Sequence, residues 1–147
     1  MEDEVRREVL LTIISRQWDA QGVGSRTETG YQGAAYEKNG VVYFLYEEEM
    51  EGADGVVKSM IRLNGDSVEL TRRGGVSVKM VFREGETSRC SYVTGFGIMT
   101  MDVRTLHTQV VRDEKRTEIS LHYHLLADES ILSKCKMKIL ITETKEP

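Results

Sequence analysis

Apolar and polar residues alternate with a period of two along almost the whole chain, and the alternation breaks at turn-forming residues. That period belongs to β-strands, whose successive side chains point to opposite faces. The pattern predicts an all-β chain of about ten strands and no helix. The first strand is expected near residues 5–17. The Asn39-Gly40 pair then predicts a tight hairpin, because a type I′ turn needs positive φ at both central residues. Residues 31–37 and 42–48 are therefore expected to pair, with Gly33 opposite Tyr46 and Ala35 opposite Phe44 on an inward face. The acidic run after it, Glu47, Glu48, Glu49, Glu51 and Asp54, is expected on a solvated strand face or loop, closing a simple hairpin that sets Glu48 opposite Val57.

Asn64-Gly65 predicts the next turn, which opposes Ile61 to Val68, Ser59 to Leu70 and Val57 to Arg72. A three-residue loop at 73–75 then opposes Leu70 to Val78 and keeps Val76, Val78, Met80 and Phe82 inside. The chain turns again around Gly85, and Cys90, Tyr92 and Thr94 continue the interior. Gly95 and Gly97 mark a bend around Phe96. Beyond it, Met99, Met101, Val103, Thr105 and His107 form an apolar face.

The stretch "ISLHYHLL", residues 119–126, raises the question of a metal site, since two histidines at i and i+2 share one strand face. Matching apolar faces opposes Val103 to Leu125, Thr105 to Tyr123 and His107 to Leu121. His122 and His124 then fall on the outer face, beside Leu106 and Arg104, with His107 on the other side. A zinc site needs three or four converging ligands. A permanent cation as neighbour and no third donor argue against metal here. The last strand turns Cys135, Met137, Ile139 and Ile141 inward, and Lys134, Lys136 and Lys138 outward as a solvated face.

A long meander with one apolar face per strand closes most economically into a barrel, which removes exposed edges. The runs "YEKNGVVYFLYEEE", "VELTRRGG", "VFREG" and "YVTGFGIMTMDVRT" resemble the YwiB-like bacterial proteins, a small family of unknown function. The resemblance spans roughly residues 8–143. The matching positions are Tyr46 and Glu48, Arg72 and Gly74, Phe82 and Gly85, Tyr92, Phe96, Gly97 and Thr105. It implies a single antiparallel up-and-down barrel of about 8–10 strands with a calycin-like (lipocalin-like) fold over residues 1–147, and no assigned reaction. The lipocalin Gly-x-Trp signature is not matched, since Trp18 stands in "SRQWD" at the end of the first strand.

Length and charge narrow the class. A chain of 147 residues suits one domain. Lys and Arg number 20 against 24 Asp and Glu, a net charge of −4, and the signs are interspersed along the sequence. That balance argues against a nucleic-acid partner. The N-terminal apolar run is too short for a signal peptide or a membrane span, so a cytoplasmic protein without a membrane partner is expected. Cys90 and Cys135 lack metal or disulfide spacing and are expected as buried thiols. Neither a nucleophile elbow, a P-loop, a Rossmann fingerprint nor a zinc-ligand cluster occurs. No catalytic residues, metal or cofactor are expected, and the chain does not read as an enzyme.

One inward constellation combines an acid and a base. Glu48 and Arg72, two strands apart, come within reach at one barrel end, with Tyr31, Tyr46 and Tyr92 as further hydrogen-bonding groups. This is the candidate ligand site. The primary expectation is a noncatalytic barrel that holds a small, partly apolar molecule at its mouth through this group. The alternative is a filled barrel that contacts another protein through its outer face. The lining is rich in Met, Phe, Tyr and Leu, so apolar guests are expected to bind weakly.

Overall fold

The computed structural model describes residues 5–49 and 55–144, and within them the chain is built of ten strands and their turns. They are β1 (Arg7–Asp19), β2 (Gly24–Lys38), β3 (Val41–Glu49), β4 (Val56–Asn64), β5 (Ser67–Arg73), β6 (Val78–Phe82), β7 (Thr87–Thr94), β8 (Gly97–Arg112), β9 (Arg116–Ala127) and β10 (Ser130–Glu143). Nine antiparallel pairings join sequence neighbours and also join β1 to β10, in the order β6-β5-β4-β3-β2-β1-β10-β9-β8-β7. The two ends of that order are themselves consecutive in sequence, and they meet. Ser77 and Val93 exchange backbone hydrogen bonds of 2.8 Å each, and the Ser88 hydroxyl donates to the Val81 carbonyl at 3.0 Å. The sheet is thus a nearly closed up-and-down barrel, as the sequence pattern predicts.

Each hairpin obeys its turn residues. Asn39 and Gly40 both have positive φ, 54° and 80°, and Gly33 faces Tyr46 and Ala35 faces Phe44 as expected. Glu48 faces Val57. Two registers differ from expectation. The β4–β5 turn is Gly65-Asp66 rather than Asn64-Gly65, so Leu63 opposes Val68, Ile61 opposes Leu70 and Ser59, not Val57, opposes Arg72. Gly65 alone has positive φ there, the pattern of a type II′ turn, which needs it only at the first central residue. The β5–β6 connection is five residues, 73–77, rather than three, so Leu70 opposes Met80 and Arg72 opposes Val78. Both slips equal two residues, and a slip of two keeps every side chain on its face.

Inward positions of all ten strands form one core. Phe44, Tyr46, Met80, Phe82, Tyr123 and Met137 are buried in it. Met99 departs from expectation, 53% exposed beside the β7–β8 turn. His107 departs for a clearer reason. A bulge between Thr105 and His107 inserts Leu106 as an extra residue, and the Thr105 backbone there bonds Gly85 and Glu86 of the β6–β7 turn. An inserted residue reverses the facing of every later residue on its strand. His107 accordingly lies on the outer wall opposite His122, not inside opposite Leu121. The connections after β1, β3, β5, β7 and β9 share one end of the barrel, and Glu48 and Arg72 stand near that end. Glu51 and Asp54 of the acidic run lie outside the described residues.

Candidate functional site

The alternation of β3 carries Val42, Phe44, Tyr46 and Glu48 into the core, and Glu48 is only 8% exposed. A buried carboxylate needs partners, and neighbouring strands supply them. Tyr31 donates to Oε1 at 3.1 Å. Ser59 donates to Oε2 at 2.6 Å and the Nε of Arg72 donates to the same oxygen at 3.0 Å. The expected acid–base pair therefore forms, with Arg72 itself 16% exposed along its side chain. Sequence reasoning misses Ser59. Its signal is an inward serine on the strand between Glu48 and Arg72, but serines on strand faces are too common to mark.

This arrangement spends the acid and leaves the base open. Glu48 has both oxygens engaged, whereas Arg72 uses Nε and, among the described residues, pairs no terminal guanidinium nitrogen with an acceptor. Burial, the largest single influence, pulls the Arg72 pKa down, but the Glu48 charge and hydrogen bond together with Tyr46 outweigh it and leave the pKa raised. The guanidinium stays charged and pinned by one edge. Such a fork suits a carboxylate or another planar anion.

Tyr46 stacks at a tilt on Tyr31, ring centroids 4.9 Å apart, and its hydroxyl is buried without a hydrogen-bond partner. Ser59 is its nearest polar neighbour and slightly favours the phenolate, but it gives its single proton to Glu48 and makes no well-formed hydrogen bond with the Tyr46 hydroxyl. Burial, and then the Glu48 charge, push the Tyr46 phenol well above its ordinary value of 10.0. An unpaired buried hydroxyl costs about 1–3 kcal/mol, so Tyr46→Phe should leave the unfolding free energy in urea unchanged or higher by about 1 kcal/mol. The raised pKa sets the sign of the pH effect. Folding keeps the phenol protonated, so its contribution is complete below pH 10 and is lost as pH rises above it. Tyr46→Phe should flatten that alkaline loss.

Tyr92 does not join the network; it is half-buried on β7, opposite Met99, and among the described residues makes no hydrogen bond or ring contact. The histidines assemble differently from expectation. His124 opposes Arg104 as predicted, but His122 opposes His107, their rings 5.7 Å apart. His107 Nδ1 lies 3.1 Å from Glu84, which also accepts the Thr108 amide. Among the described residues no three His, Cys, Asp or Glu side chains converge to hold a metal ion. Cys90 and Cys135 are free and buried, and burial raises both thiol pKa values. A surface depression of about 670 Å³ lies at the opposite barrel end between the β4–β5 and β6–β7 turns. Its lining sets Asp66, Glu84 and Glu86 around the single cation Arg83 at loop tips, and its one buried polar side chain is Ser67, a neutral hydroxyl without a hydrogen-bond partner among the described residues.

Known proteins share this architecture. The crystal structure of the ywiB protein from Bacillus subtilis superposes with a TM-score of 0.85 over 95% of this chain and 94% of that one, at 24% identity, which establishes the fold. In sequence, an uncharacterized beta-barrel protein, YwiB of Bacillus subtilis (strain 168), is 29% identical over 114 residues, covering 78% of this chain and 76% of that protein. The family described as a domain of unknown function, DUF1934, matches residues 11–139, which include Tyr31, Tyr46, Glu48, Arg72 and Tyr92. With the match running through nearly every strand of the barrel, the chain belongs to the DUF1934 family.

Proposed function

We propose that this protein is a noncatalytic binding protein of the bacterial cytoplasm, whose calycin-like barrel takes the acidic end of a small, partly apolar molecule at its mouth. The observation that carries this reading is Arg72, held at Nε by a fully engaged Glu48 while its terminal nitrogens have no acceptor among the described residues. The Tyr46 hydroxyl beside it is a second unused polar group. A long apolar guest fits poorly, because Phe44, Phe82, Tyr123 and Met137 occupy the barrel axis. Ser59 donates to Glu48, but the Arg72 cation on the same oxygen weakens that carboxylate as a base, so the site suits binding rather than catalysis. Two free buried thiols accord with a reducing compartment.

Benzoate, a carboxylate on a flat apolar ring, tests the reading. At millimolar concentration it should raise the melting temperature by about 2–4 °C, the effect of ligand at several times its dissociation constant. Arg72→Gln should remove the shift. No shift in the native protein, or an equal shift in Arg72→Gln, would overturn the proposal. A second reading would then lead, an interaction protein with a filled barrel. It is favoured by the β7–β8 tip, where Phe96 is 94% and Ile98 71% exposed, a pair of large apolar groups suited to a protein partner.

A further inference from the structure

Cations scattered along the sequence are gathered by the cross-strand registers. Arg26 of β2 lies opposite Arg16 of β1, Arg16 opposite Lys136 of β10, Lys136 opposite His122 of β9, and His122 opposite His107 of β8. One row of basic side chains thus crosses five adjacent strands of the outer wall, about 19 Å at the usual strand spacing. In the next row Lys134 opposes His124 and His124 opposes Arg104. Like charges directly opposite one another destabilise a sheet, yet here they stand in succession. Among the described residues the carboxylates beside these cations stand at the margins, Glu28 on Arg26 at 2.9 Å, Glu118 near Lys138 at 3.8 Å, Glu84 on His107, and Asp102 near Arg104 but paired with Arg89. Among the described residues none pairs with Arg16, Lys136, Lys134 or Arg104.

A row compensated at its two ends and left open at Arg16 and Lys136 suits an external anion. Over its centre the wall forms a depression of about 330 Å³, floored by Ile14 and edged by Arg16, Arg26, His122, Lys136 and Lys138. We propose that this depression binds a small ligand bearing two or more phosphoryl groups, such as a nucleoside triphosphate or a short linear polyphosphate. Guanidinium forks match phosphoryl oxygens in bidentate fashion, and the lysines supply mobile point charges. Several closely spaced negative charges are needed to engage four cations in so small a volume. A nucleic-acid strand fits less well, because the marginal carboxylates face its continuing backbone and the net charge of −4 repels it at long range. The site is separate from Arg72, whose side chain points inside the barrel.

His122 reports occupancy. Desolvation first, then Lys136 and His107, depress its pKa; it is faced by Lys136 from β10, by His107 with its Glu84 partner from β8 and the β6–β7 turn, and by Ser120 and His124 along its own strand. A bound polyanion offsets the cations, so its imidazole midpoint should rise.

The test is calorimetric titration at low ionic strength with sodium tripolyphosphate, ATP and a short thymidine oligonucleotide, with histidine ring resonances tracked in parallel. Tripolyphosphate should bind saturably, one per chain, and raise the His122 midpoint. Lys136→Gln should weaken it about tenfold, the loss of one charge-assisted contact, without lowering the melting temperature, because the same change relieves like-charge contacts. Equal binding of ATP would place recognition in the phosphates, and tighter binding of ATP would add a contribution from the base; both support the site. Absence of saturable tripolyphosphate binding, or binding undiminished in both Lys136→Gln and Arg16→Gln, would overturn the proposal. So would an oligonucleotide binding more tightly than tripolyphosphate, which would assign the wall to nucleic acid.

Discussion

Glu48→Gln should lower the unfolding free energy by about 3 kcal/mol, because it leaves the Arg72 guanidinium poorly solvated and unpaired. It also weakens the hydrogen bonds from Tyr31 and Ser59, which now meet a neutral acceptor. Arg72→Gln should cost a similar amount by stranding the carboxylate. The double variant should cost less than the two singles together, by about 1–3 kcal/mol, since neither product leaves a lone charge. Urea unfolding of the four proteins measures this coupling directly. Additive costs would show that the pair acts as two independent charges, and the pinned guanidinium would lose its structural basis.

Gly33→Ala should be about as damaging, at about 3 kcal/mol, although it adds a single carbon. Gly33 faces Tyr46 across β2 and β3. A Cβ there would collide with the Leu45 carbonyl oxygen and come within 2.9 Å of the Leu11 methyl Cδ1. The methyl can rotate away, but the carbonyl belongs to the β3 backbone and cannot move without disturbing the ladder that places Tyr46 and Glu48. Gly30→Ala on the same strand is the control, since its nearest obstacle is 3.8 Å away and the expected cost is within about 0.5 kcal/mol. Equal costs at the two positions would refute the close approach of β2 to β3.

Faces are legible in the sequence and registers only partly so. Asn39-Gly40 pins its hairpin because the pair admits one tight turn, whereas Asn64, Gly65 and Asp66 offer two overlapping choices, and the structure takes the later one. The Glu48–Arg72 contact survives that slip, since a shift of two conserves the face and the arginine side chain is long enough to reach. His107 escapes sequence reasoning because nothing near Leu106 announces a bulge; the insertion answers to the β6–β7 turn, a contact distant in sequence. The interspersed charges hide the basic row for a related reason. Each strand contributes one or two cations at outward positions, and only the register of five strands stacks them side by side. Inward parity groups Tyr92 with the mouth, and parity does not report the position around the barrel, where β4, β5 and β6 stand between Tyr92 and Glu48.

The claim that the barrel is filled and receives a ligand only at its mouth is tested most directly by an amide NMR titration with decanoate, a carboxylate on an apolar chain. Decanoate should bind weakly, with a dissociation constant of about 100 μM or more, and its shifts should concentrate at Tyr46, Glu48, Ser59 and Arg72 while Ile61, Leu121 and Ile139 of the core stay in place. Nanomolar binding accompanied by shifts at those core residues would contradict it, because the chain would then occupy the space assigned to the side chains.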